Sequence, residues 1–229
     1  MKPYRIALLG DGTFAAWNDA KELMAECHRL FTSTHIEIDN HGLAGCRAGH
    51  ALWCLNNDYA DTAGTKRGCV SNGFYDLIIV DSFALTDSED DVEGLTEYRD
   101  VMRRVWDEIE RTTTAQRLFH LGPPPDRDKY GESARRYRNV SKATRARHAD
   151  RVRLYLEEAQ RIAADEGWPV ADCFADINDK LEKGDRIRRF INQADCLTPS
   201  HYGFENMARI IVRAMDTHGL LVEKGQHDH

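Results

Sequence analysis

Two rhythms of apolar positions divide the chain: short continuous runs, and longer stretches where apolar residues return every three or four positions. The first run, residues 5–9, holds Ile6, Ala7, Leu8 and Leu9 without polar alternation, the pattern of a strand covered on both faces in a parallel sheet. Gly10-Asp11-Gly12-Thr13-Phe14 then turns the chain into a helix that Trp17, Leu23, Met24, Cys27, Leu30 and Phe31 carry to about residue 32. Residues 35–39 alternate as an edge strand does, and the glycine-rich turn from Asn40 leads into a helix bearing Ala48, Ala51, Leu52 and Leu55. Residues 56–73 read as a loop. A second buried strand covers 76–81, and the acidic run 87–93 reads as a solvated loop.

Leu95, Tyr98, Val101, Met102, Val105 and Ile109 mark an amphipathic helix. A fourth strand, 117–121, is stopped by Gly122-Pro123-Pro124-Pro125, because proline continues neither a ladder nor a helix. After a long loop, Val152, Tyr155, Leu156, Ala159, Ile162 and Ala163 define a long helix ended by Gly167 and Pro169. A fifth strand at 170–174 and a last helix with Met207, Ile210, Ile211, Ala214 and Met215 complete the pattern. Five strands alternating with helices predict a three-layer α/β sandwich on a five-stranded parallel sheet, as one domain over residues 1–219 with a flexible polar tail at 220–229. Ligands of such sheets bind at the carboxyl ends of the strands, so the turns after them are expected to converge.

Composition adds three constraints. With 229 residues and 41% hydrophobic content the chain can bury a single sizeable core. A net charge of −7 argues against nucleic-acid or membrane-surface partners, and no apolar run approaches the roughly 18–20 residues of a membrane span. With no signal-like apolar region at the N-terminus, a cytoplasmic location is expected. Between Arg127 and Arg153 ten Lys/Arg face only three acids; the segment reads as a solvated helix face, with a cationic substrate-facing loop as the alternative. Six cysteines without a CxxC pair read as reduced thiols.

The candidate chemistry gathers at the turns. Gly10-Asp11 after the first strand, Asn40-x-Gly42-x-x-Gly45 after the second, the proline-rich stop after the fourth and Asp195-x-x-Thr198-Pro199-Ser200-x-x-Gly203 before the last helix resemble, in order, the sequence blocks of the SGNH/GDSL hydrolases. That resemblance implies a flavodoxin-like sheet. It also implies ester or acyl chemistry by a serine nucleophile, an oxyanion hole of backbone N–H, glycine and asparagine, and a base from an Asp-x-x-His pair. Here Gly12 stands where the family has its serine and Thr198 where it has its histidine, while residues 81–86 contain neither the glycine nor the asparagine of the third block. Threonine cannot take a proton at neutral pH as imidazole does.

The expectation is therefore a degenerate SGNH-like protein, non-catalytic or accessory, binding a small acyl or carbohydrate ligand in a pocket of Gly10, Asp11, Gly12, Gly45, Ser82 and Thr198. The alternative is an esterase or acyltransferase rebuilt on Thr13, Asp195 and His201. A metal variant of that alternative would draw on Asp11, His41, Cys46, Asp195, Cys196 and His201, although no ligand spacing supports one and no cofactor is expected.

Overall fold

The computed structural model describes residues 2–61, 63–88 and 94–221. Its sheet has five parallel strands in the order β2-β1-β5-β6-β7: β1 Tyr4–Gly10, β2 Ile36–Gly42, β5 Leu77–Asp81, β6 Gln116–Leu121 and β7 Val170–Asp172. This is the flavodoxin-like order, in which the chain reverses direction of travel across the sheet between β1 and β5. Alternate residues of β1 enter separate cores. Ala7 and Leu9 pack with α3 (Ala48–Asn56), α5 (Gly94–Thr112) and α6 (Lys142–Glu166), whereas Ile6 and Leu8 pack with α2 (Lys21–Leu30) and α8 (His201–Thr217). Both faces are covered around β1 and β5, which is why those strands carry no polar alternation, whereas the edge strand β2 keeps a wetter face and alternates.

The structure corrects the pattern in three places. The first predicted helix is two, α1 (Gly12–Ala16) and α2, separated by Asn18 and Ala20 in the left-handed region at φ of 50° and 49°. Asn40 locks this break: its side-chain amide donates to the carbonyls of Phe14 and Asn18, both at 2.8 Å. The stretch expected to be a loop holds a small hairpin, β3 (Tyr59–Ala60) with β4 (Lys66–Arg67). The fifth strand ends two residues early, because the Asp172 carboxylate accepts from Ala175 N–H at 2.8 Å and starts α7 (Cys173–Glu182). Residues 89–93 of the acidic run and 222–229 of the polar tail lie outside the described residues, and α4 (Ala84–Asp87) precedes the former. Among the described residues no helix is long and apolar enough to cross a membrane.

Candidate functional site

At the end of β1 the chain must turn where no side chain fits. A Cβ on Gly10 would sit 2.5 Å from Phe14 and 2.7 Å from the Asp81 Cβ, so the turn requires glycine. Asp11 follows as the cap of α1, its carboxylate accepting from Thr13 N–H at 2.8 Å and from the Thr86 hydroxyl at 3.3 Å, fully shielded from solvent. Gly12 differs from Gly10: a Cβ there meets only Leu85 at 3.6 Å, an ordinary contact.

At the end of β2, the Asn40 side-chain oxygen accepts from Gly42 N–H at 2.8 Å. Gly42 packs so closely on α1 that a Cβ would come within 2.4 Å of the Ala15 nitrogen. Gly45 takes φ of +78° with open space around it. From the other end of the chain Asp195 organises its loop, accepting from the N–H groups of Leu197 at 2.8 Å and Thr198 at 3.1 Å and from the Thr198 hydroxyl at 2.6 Å. These turns meet. Gly12, Gly45 and Thr198 line one open cleft of about 420 Å³, with Leu85, Leu197 and Arg136 among its other walls.

Beneath that cleft lies a set of groups that the sequence pattern did not assign to the site. Asp81, at the end of β5, accepts from His120 Nδ1 at 3.0 Å, and His120 Nε2 lies 3.6 Å from the Cys173 sulfur. All three are sealed from solvent. Burial pushes the Asp81 carboxyl up to about 6 although backbone N–H groups of Ser82, Asp11 and Phe83 hold it down. Burial, reinforced by the Asp81 charge, pushes Asp11 well above its ordinary value, so Asp11 keeps the proton of the pair and donates to Asp81. Burial lowers His120 to about 3 and raises the Cys173 thiol well above its ordinary value. The triad shape Cys173-His120-Asp81 therefore holds a neutral thiol and a neutral imidazole with no access for a substrate.

No family model matches the sequence, and no curated protein matches it. Among solved structures the chain is similar to a lipase/acylhydrolase from Enterococcus faecalis, with TM-score 0.66 and 17% identity over 93% of this chain and 96% of that one. It is similar to a protein named as a GDSL-like lipase from Parabacteroides merdae, with TM-score 0.66 and 12% identity over 96% and 98%. An acetyl xylan esterase from Geobacillus stearothermophilus gives TM-score 0.60 and 15% identity over 97% of each chain. The fold is that of the SGNH hydrolases.

Within the SGNH frame the three residues of the rebuilt-enzyme reading occupy separate environments. Thr13 is buried at the start of α1, lining a small void with Asp81, Ser82 and Tyr130. Asp195 is engaged by Thr198. His201 points outward, its side chain 70% exposed, with Nδ1 3.0 Å from Glu22 and Nε2 3.5 Å from Glu205. It lines a different hollow, beside Trp17 and Arg188. Of the expected pocket residues, Gly12, Gly45 and Thr198 line the cleft; Ser82 lines the small void with Thr13; Gly10 and Asp11 lie in the turn beneath them.

The metal-ligand types are also dispersed. Among the described residues no three His, Cys, Asp or Glu side chains converge to hold an ion. His41, lowered to about 4 chiefly by burial, is spanned by the hydroxyls of Tyr59 at 2.5 Å and Tyr75 at 2.7 Å. The Cys46 and Cys196 thiols face the backbone carbonyls of Arg47 and Gln193 at 3.5 and 3.8 Å.

Proposed function

We propose that this SGNH-fold protein is a binding or accessory protein that holds a small acyl or carbohydrate ligand in the cleft between Gly12, Gly45 and Thr198 and does not turn it over. One observation carries the reading: the cleft is open, yet the position that faces it at the start of α1 is a glycine, and the position opposite is a threonine whose hydroxyl is already given to Asp195. A hydroxyl without an imidazole is not activated at neutral pH, and loss of the nucleophile alone lowers turnover in a serine hydrolase by about a million-fold.

Two measurements test it. Hydrolysis of p-nitrophenyl acetate is expected to stay at the same low level in the native protein, Thr13→Ala and His201→Ala; turnover that disappears in either variant establishes the rebuilt enzyme instead. In thermal-shift titrations with short-chain acyl and acetylated-sugar probes, a binding probe at about 100 times its Kd is expected to stabilise by about 2.7 kcal/mol. Gly12→Leu, which fills the cleft from a position with room for a Cβ, is expected to abolish that stabilisation. If no probe stabilises the native protein, or if Gly12→Leu leaves binding intact, the cleft is not the ligand site.

A further inference from the structure

Resting on that reading, we infer that the ligand is an acyl chain ending in an uncharged primary hydroxyl, and that Ser82 binds this hydroxyl in the small void adjoining the cleft. Leu85 and Leu197 line both spaces, the void of about 30 Å³ and the cleft of about 420 Å³. Ser82 leaves β5 with its backbone engaged: its N–H donates to the His120 carbonyl at 3.0 Å, and its carbonyl accepts from the Tyr98 hydroxyl at 2.6 Å. Phe83, next in the chain, is fully buried in the left-handed region at φ of 55°, a strained position that its packing maintains. Ser82 itself is 2% exposed, and its side chain lines the void. Among the described residues the Ser82 hydroxyl has no hydrogen-bond partner, and a buried polar group in that condition favours whatever supplies one.

The other polar walls are spent. Asp81 is occupied by His120, by Asp11 and by backbone N–H groups, and Thr13 bonds to Asp11 through its N–H and its side chain. The rest of the lining includes Pro123, Pro125, Val152 and Leu156, which would strip a charged group of water and return nothing. A water-sized sphere fills about 10–15 Å³, so the void takes about two non-hydrogen atoms, the size of a CH₂–OH end. Ala15, Ala16 and Ala44 make the cleft side apolar, and its two side-chain hydroxyls are used, Thr86 by Asp11 and Thr198 by Asp195. A hydrocarbon chain with one terminal hydroxyl therefore fits both spaces, whereas a polyol finds few partners along the way.

The void is also firmly walled. Tyr130 packs edge-on against the buried ring of Tyr137, at 5.5 Å and 73°, and Tyr137 lies so close over Gly131 that a Cβ there would sit 2.4 Å from its ring. Gly131 donates its N–H to the carbonyl of Cys196 at 3.2 Å, one residue before Leu197. The Tyr130 wall and the Leu197 wall are thus one connected unit, and a hydroxyl held in place beforehand loses little freedom on binding.

Matched probes test the inference by calorimetric titration: N-methylhexanamide against its 6-hydroxy derivative, and methyl glucoside against its 6-deoxy counterpart. The 6-hydroxy amide is expected to bind about three- to ten-fold more tightly than the plain amide, the range of one net hydrogen bond. In Ser82→Ala the order is expected to reverse, because the ligand hydroxyl is then buried without a partner, while the plain amide binds no more weakly than to the native protein. A misfolded variant would lose both probes together, so Ser82→Cys, a weak donor of nearly the same shape, is the second variant; its preference is expected to fall below about two-fold. Equal binding of the two amides by the native protein, or a preference that survives both substitutions, overturns the inference. If Gly12→Leu abolishes that equal binding, the binding function stands without it; absence of binding by every probe overturns both. A larger effect of the 6-hydroxyl between the glucosides than between the amides assigns the hydroxyl to a sugar and overturns the acyl chain.

Discussion

Replacing Asp81 by asparagine removes one buried ionisable group and keeps its shape. In the folded protein the carboxyl titrates near 6, against 3.8 when unburied. The folded state therefore holds this proton more tightly. Asp81 adds stability that is fully present below about pH 3.8 and is lost as the pH rises through 6, a change of about 3 kcal/mol. His120 works in the opposite sense: lowered from 6.5 to about 3, it adds stability above pH 6.5 that is lost as the pH falls. The two nearly offset each other in the native protein between pH 4 and 6, so its own profile is a poor readout. The difference between Asp81→Asn and native removes the His120 contribution, which is common to both, and reads Asp81 together with Asp11, whose carboxyl Asp81 holds up and which therefore shifts the difference in the same direction. Urea unfolding at pH 4, 5, 6 and 7 is expected to show Asp81→Asn gaining about 2.4 kcal/mol relative to native between pH 4 and 7 from the Asp81 carboxyl, or about 0.8 M in midpoint if m is about 3 kcal/mol/M. A difference that does not change with pH refutes the reasoning. A slope of opposite sign would mean that the fold holds the Asp81 carboxyl below, not above, its unburied value.

The two glycines of the first turn make a contrasting pair: Gly10→Ala is expected to lower stability by about 1–3 kcal/mol through the clash with Phe14 and Asp81, whereas Gly12→Ala stays within about 0.5 kcal/mol, both read from thermal melts. Gly12→Ser combined with Thr198→His rebuilds the hydroxyl and the Asp-x-x-His spacing, and is expected to raise p-nitrophenyl acetate hydrolysis at least about ten-fold over either single variant, since nucleophile and base act as a unit. All six cysteines are buried thiols, so Ellman's reagent is expected to label essentially none in the native protein within minutes and all six in urea; rapid native labelling of Cys173 would contradict its burial.

The sheet was legible because its central strands are covered on both faces, and continuous apolar runs such as residues 77–80 then stand out against the helical spacing around them, while the edge strand β2 showed itself by alternation. The cleft was legible too, through the glycines and the Asp195-x-x-Thr198 spacing that the hydrolase blocks share. What the sequence hid was long-range. Nothing local marks Ala20 as left-handed; it is fully buried, and Asn40, twenty residues on, holds the carbonyl of Asn18 just before it. His120 reads as one polar position in an apolar strand, and only the parallel register of β5 with β6, which pairs it with Asp81, reveals the buried network. Arg136 looked like one of many solvated cations until the fold of the Gly131 turn set it at the mouth.

The Asn40 amide ties the end of β2 to the last turn of α1 and to the break that follows it, and so fixes one rim of the opening before anything enters it. A mouth braced in this way needs no rearrangement to admit a guest. Entry would then be governed by diffusion and charge rather than by a slow opening step, and concentration jumps should show a single rate rising linearly with the amount added.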